Sequence, residues 1–171
     1  MLLRTHYIFS IGLLALVDSI LSHEYFYYIL IVAGIVSVIA NTLIDRIGHK
    51  EIITRYGYIP VRTPLTHTWF RSIVWGLLSI TPIIALLAFY DYESHNFIYD
   101  TSLLFIIVID GLIVGPSHML LDVFTERGIY VKKKGRWARY ALAHFKYNNP
   151  GVNGLAILAG IIMLLYSARI I

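Results

Sequence analysis

The chain has 171 residues, of which 58% are hydrophobic and 14% charged, and its mean hydropathy is +0.71. Soluble domains carry about 25% charged residues, and disordered chains combine low hydrophobicity with high charge. The composition excludes both and predicts a single membrane-embedded helical domain over 1–171. With no cysteine, disulfides, thiolate chemistry and cysteine-bound zinc are excluded. Glutamine is absent as well, which fits a thermophilic source and equally fits chance in an apolar chain.

A spanning helix needs about 20 mainly apolar residues. Tyr7–Leu21 is the first such run, interrupted by Asp18. It follows Arg4 as a secretory leader would, but no small-residue cleavage signal comes after it, so it is predicted as a retained helix. Tyr25–Ile44, Trp69–Tyr90 with a kink at Pro82, Leu103–Phe124 and Val152–Ala168 complete the set. The expected fold is all-α, a polytopic bundle of about five transmembrane helices, with loops at 45–66 and 125–150.

Basic residues then orient the bundle. Arg4, the stretch holding Arg46, Lys50, Arg55 and Arg62, and the stretch from Arg127 to Lys146 share one side. The opposite connectors hold Glu24, Asp91, Glu93 and Asp100 and no Lys or Arg. By the positive-inside rule the N-terminus and both long loops are cytoplasmic, in the cell membrane. The Lys132–Lys134 run reads as a solvated orientation signal or a contact for anionic head groups. Membrane lipids are the expected partners. No nucleic acid is expected, because the basic residues belong to no recognisable binding module.

The seven histidines carry most of the chemistry. His6, His49, His67, His118 and His144 fall at the basic face with Asp45 and Asp122, whereas His23 and His95 fall in the acidic connectors as ordinary surface groups. Asp45 and His49, His67 and Arg71, and His118 and Asp122 are each four residues apart, so each pair would share a helix face. Thr63 followed by Pro64 predicts a helix start with His67 in its first turn. Imidazole and carboxylate together suit zinc, iron or manganese, and ionisable groups inside a span usually face the bundle interior in a functional or paired role. Taken singly, each residue reads as an interhelical hydrogen bond or ion pair, such as Asp122 with Arg127. Converging on one face, they predict a metal site with His6, Asp45, His67, His118 and Asp122 as ligands. Asp110, two turns deeper than His118, and Asp18 at similar depth are read as a supporting acceptor or proton path.

The pieces Thr5-His6-Tyr7, Leu43-Ile44-Asp45, Thr66-His67-Thr68 and Ser117-His118 through Asp122, Thr125 and Gly128 stand in an order that resembles the LexA-binding-type family of inner-membrane metal-dependent hydrolases. The chain is more similar still to short archaeal membrane proteins of unknown function. The resemblance covers roughly the first 130 residues. It departs where that family has Pro-Asp-x-Asp-His and this chain has Thr42-Leu43-Ile44-Asp45-Arg46, with His49 standing one turn later.

The resemblance implies a metal-dependent hydrolase. Zinc is the expected metal, His49 a candidate general base, and Arg62 or Arg71 a candidate anchor for an anionic group such as phosphate, whose geometry suits a guanidinium fork. A site at head-group level suggests a lipid phosphoester. Two other readings stay open. One is a metal-free histidine phosphatase, suggested by Gly115-Pro116-Ser117-His118 but without the Ser-Arg pair and the Lys-x6-Arg-Pro piece of that family. The other is a non-enzymatic scaffold docking through the 126–149 loop. That loop's Trp137, Arg139, Tyr140, His144, Phe145, Lys146 and Tyr147 predict an interfacial amphipathic helix.

Overall fold

The computed structural model describes residues 1–21, 26–55, 57–94 and 101–169. His23, Glu24, His95 and Asp100 lie outside the described residues, as do the side chains of Asp91 and Glu93. The helices are α1 (Leu3–Leu21), α2 (Phe26–Gly48), α3 (Trp69–Ser79), α4 (Thr81–Ser94), α5 (Thr101–Asp122) and α6 (Pro150–Ser167). Among the described residues, five segments are long and apolar enough to cross a membrane, with Trp69–Tyr90 counted as one span across α3 and α4. Pro82 explains that break. It has no N–H to give Leu78, four residues back, and its ring opposes a continuous helix there. The Leu78 carbonyl instead accepts from the Ile80 N–H and from Thr81 Oγ1 at 2.8 Å.

Half of α5 is buried, against 22–39% of the other spans, so α5 is the central element. It packs on α1, α2 and α3, and α1 packs in turn on α2 and α6. Leu14, Ala33, Val36, Ala40, Ile80, Ile107 and Val114 form the main apolar core between these helices. Outward residues such as Ile31 and Ile35 of α2 and Leu155 and Leu158 of α6 are exposed, as a bilayer-facing surface requires.

The fold is not purely all-α. Two antiparallel hairpins cap the basic end: β1 (His49–Thr54) with β2 (Gly57–Arg62), and β3 (Ile129–Lys133) with β4 (Arg136–Tyr140). The first pairs His49 with Arg62 through Thr54 with Gly57. Its Ile52, Ile53, Thr54, Tyr58 and Val61 are residues that fit a pleated surface better than a helix. The second corrects the interfacial helix expected over 126–149. Lys134 and Gly135 both have positive φ (48° and 79°), which is a two-residue primed turn matched to strand twist. Trp137 and Tyr140 are therefore strand residues, exposed on β4.

The helix start near His67 is also displaced. Thr68, not Thr63, caps α3, its side chain accepting from the Arg71 N–H at 3.2 Å. Residues 63–67 form a turn, and His67 precedes the helix.

Candidate metal centre

Four segments meet at the basic end: the start of α1, the end of α2, the turn before α3 and the end of α5. Local bonds hold each in place. Asn153 of α6 accepts from the Leu2 N–H (3.1 Å) and from Thr5 Oγ1 (2.7 Å), which fixes the first turn of α1 and so places His6. The Tyr130 N–H on β3 donates to the His67 carbonyl at 2.7 Å, and the Tyr130 hydroxyl donates to the Arg62 carbonyl at 2.9 Å. At the end of α2, Gly48 lies where any Cβ would collide with Thr66 Oγ1 and the His67 ring. Only glycine lets the turn carrying His67 press this closely on α2.

The structure brings His6, Asp45, His67, His118 and Asp122 together. His118 Nε2 is 3.3 Å from Asp122 Oδ2 and 3.5 Å from Asp45 Oδ1. His67 Nε2 is 3.6 Å from Asp45 Oδ1 and 3.7 Å from Asp122 Oδ2. His6 Nε2 is 3.3 Å from Asp122 Oδ1, and its ring stacks on His118 with centroids 3.8 Å apart. His6, His67, His118 and Asp122 are fully buried, whereas Asp45 is 20% and His49 22% exposed, so the open side is theirs.

Hydrogen bonding assigns the histidine protons. Thr66 Oγ1 donates to the Ile44 carbonyl (2.9 Å), so it must accept from His67 Nδ1–H at 2.8 Å. Asn41 Nδ2 donates to the Ser37 carbonyl (2.8 Å), which leaves Asn41 Oδ1 to accept from His118 Nδ1–H at 2.8 Å. His49 Nδ1 donates to the Asp45 carbonyl at 2.5 Å. In the neutral form of each ring Nε2 is therefore the nitrogen left to bind a metal. For His67 and His118 it faces carboxylate oxygens, and both Nε2 atoms and Asp122 Oδ2 have no hydrogen-bond partner among the described residues. Burial holds His67 neutral, its pKa pushed down to about 4 although Asp45 and Asp122 pull the other way.

A cation between these nitrogens and carboxylates would satisfy them in a buried site. The spacing fits one. Metal bonds to imidazole and carboxylate of about 2.0–2.1 Å in a tetrahedron put ligand atoms about 3.3–3.4 Å apart. Four of the six separations among His67 Nε2, His118 Nε2, Asp45 Oδ1 and Asp122 Oδ2, at 3.3–3.7 Å, come close to that figure. Two adjacent triads with no residue in common, His6–His118–Asp122 and Asp45–His49–His67, could each hold a metal ion. Asp122 Oδ1 is taken up elsewhere, by Arg62 Nη2 at 2.6 Å and the amino nitrogen of Met1 at 2.7 Å.

Two readings change, those of Arg71 and of the Asp122 ion pair. Arg71 is not at the centre: its Nη1 donates to the Pro64 carbonyl (2.9 Å) and its guanidinium lies 5.0 Å from the Trp137 ring, because His67 lies outside α3 and the pair shares no helix face. Asp122 pairs with Arg62, whereas Arg127 donates to the Pro60 carbonyl at 2.9 Å. His144 is exposed and outside both triads. Asp18 on α1 and Asp110 on α5 are fully buried, belong to neither triad, and have no hydrogen-bond partner among the described residues. Asn41 and Thr66, which orient the ligands, escaped the sequence reading. Asn41 stands four residues before Asp45, on the same face of α2, which was the available signal.

A family described as "Protein of unknown function (DUF1286)" matches residues 1–121. The chain belongs to that family. The match takes in His6, Asp45, His49, Arg62, His67 and His118 and stops one residue short of Asp122. No curated protein and no solved structure matches the chain.

Proposed function

We propose that this member of the family is a membrane-embedded, zinc-dependent hydrolase acting on a phosphoester at the cytoplasmic face, akin to the LexA-binding-type inner-membrane hydrolases. The observation that carries this reading is the set of buried, unpartnered ligand atoms, His67 Nε2, His118 Nε2 and Asp122 Oδ2, gathered with Asp45 Oδ1 around one point. His67, His118, Asp45 and Asp122 would hold the ion, and His6 would extend the set. A mixed imidazole and carboxylate set favours zinc over calcium or magnesium. Bound zinc lowers the pKa of a coordinated water to about 7 and polarises a phosphoryl oxygen.

The chain's own groups support turnover at the exposed side. His49 keeps its Nδ1 proton on the Asp45 carbonyl, so its Nε2 is a free acceptor at the rim, where it can take a proton from water. Arg62 balances Asp122, so the ligand set carries less net negative charge toward an anionic substrate. The basic loops support a site on the cytoplasmic side, at the level of lipid head groups. The metal-free phosphatase reading has less support, since its nucleophile, His118 Nε2, is buried between two carboxylates that repel phosphate.

Elemental analysis of purified protein tests the core of the proposal. Zinc near one equivalent per chain, lost in His118→Ala and Asp122→Asn, is expected. Hydrolysis of p-nitrophenyl phosphate should be abolished by EDTA and restored by zinc. A folded, metal-free protein that neither takes up nor responds to zinc overturns it.

A further inference from the structure

Beside the metal centre lies a cavity of about 220 Å³ lined by Pro60, Val61, Arg62, Arg127 and Arg139. We propose that it is the subsite that receives the phosphate group of the substrate, a doubly charged phosphomonoester. This rests on the hydrolase reading for its place in a reaction, but not for its chemistry.

Among the described residues, three guanidinium groups from three separate segments line the cavity, and no carboxylate does. Like charges so placed repel one another unless an anion lies between them. Arg62 supplies the second observation. Its side chain is 6% exposed, and it donates through Nη2 to Asp122 (2.6 Å) and through Nη1 to the Gly128 carbonyl (3.0 Å) and Thr125 Oγ1 (3.2 Å). Its Nε is buried and has no hydrogen-bond partner among the described residues. A buried donor left unmatched is unfavourable, and Arg62, which carries it, lines the cavity. Arg127 uses Nη1 on the Pro60 carbonyl, and Arg139 uses Nε on the Tyr130 hydroxyl at 3.4 Å. Each guanidinium has five N–H donors, so both keep others for a ligand.

Size and charge narrow the ligand. The volume is below the roughly 300–1,000 Å³ of pockets for drug-sized molecules, so a single anionic group fits and a whole lipid does not. Guanidinium forks match phosphate oxygens in pairs, and three of them suit a dianion better than one carboxylate. Arg62 touches both compartments, bonding Asp122 on one side and lining the cavity on the other. A phosphate held there would lie one guanidinium away from the metal ligands, with the rest of the ester free to extend toward the head-group layer or toward water.

The test is calorimetric titration of the zinc-loaded protein in detergent with inorganic phosphate and, separately, with short-chain phosphatidic acid. Saturable phosphate binding is expected, weakened about tenfold or more in Arg139→Gln and in Arg127→Ala, as loss of a charge-assisted hydrogen bond implies. Zinc content should be unchanged in both. If Arg127→Ala fails to fold, Arg139→Gln, on the exposed strand β4, carries the test alone. Tighter binding of phosphatidic acid than of phosphate supports the subsite and assigns it to a lipid head group; equal or weaker binding supports it and assigns it to a soluble ester. Phosphate binding that fails to saturate, or that is indifferent to both substitutions, overturns the proposal while leaving zinc content untouched. Arginine-dependent phosphate binding in a chain that takes up no zinc would instead remove the hydrolase reading and leave the anion site standing.

Discussion

Asn41→Ala isolates the logic of the metal centre without touching a ligand. In the wild type, Asn41 Oδ1 accepts the His118 Nδ1 proton at 2.8 Å, and in the neutral ring this leaves Nε2 as the nitrogen that can bind a metal. With alanine there, the metal-loaded site must still present a bare Nε2, so a proton stays on Nδ1 in a ring that is fully buried. That proton then has no acceptor, at a cost of about 1–3 kcal/mol. The metal-free ring escapes this cost by turning or by moving its proton to Nε2, where Asp122 and Asp45 accept it. The penalty therefore falls on the loaded state alone and appears as weaker metal binding. It corresponds to the 10–100-fold typical for loss of such a supporting partner, about 1.4–2.7 kcal/mol. Asn41→Asp keeps an acceptor and should bind zinc at least tenfold more tightly than Asn41→Ala. Competition with a chromophoric chelator gives both constants, and circular dichroism verifies folding. A folded Asn41→Ala protein whose zinc affinity is within twofold of wild type would refute the tautomer argument.

Gly115→Ala would put a methyl group against the Ser72 carbonyl between α5 and α3, and overpacking there should destabilise by about 1–3 kcal/mol. Gly34→Ala, with nothing within 4 Å, should be neutral or stabilising, so equal effects in chemical denaturation would count against the packing described. Arg62→Ala leaves the fully buried Asp122 without its guanidinium, a loss of about 3–5 kcal/mol; zinc should recover part of it, as melting with and without metal will show. His67 titrates at about 4 in the folded chain against about 6.5 when unfolded. Between these values the unfolded state binds more protons, so the stability of the metal-free protein should fall as pH drops from about 6.5 to about 4. His67→Asn should flatten that slope, and an unchanged slope would show that His67 does not contribute to it.

The five apolar runs were legible because a bilayer imposes one simple demand, about 20 apolar residues per crossing. Helix ends deviated by a few residues, as they do wherever capping competes with hydropathy. Thr63-Pro64 carries a sound start signal, yet Thr68 caps α3, because the turn before it is held by Tyr130 from another hairpin. Such a tertiary bond leaves no local trace. The hairpins were missed for a related reason. Aromatic and basic residues such as Trp137 and Arg139 suit a membrane interface on a helix or on a strand, and the turn at Lys134-Gly135 decides between them. The ligand residues could be listed from chemistry and spacing, whereas the residues that orient them are ordinary polar side chains. Asn41 and Thr66 gain their role only once α2, α5 and the turn at His67 come together.

The centre is assembled from residues 6, 45, 67, 118 and 122, so it spans most of the order in which the chain is synthesised. His6 emerges first and finds its neighbours on α5 only after two further spans have been inserted. A metal bound at this centre would therefore be loaded late in biogenesis, after insertion of α5. A nascent chain halted before that helix would expose Asp18, Asp45 and His6 to the bilayer or the insertion machinery without the partners that cover them. Quality control of this protein would thus read the completeness of α5, and a membrane protease would find the unfinished chain before it found the folded one.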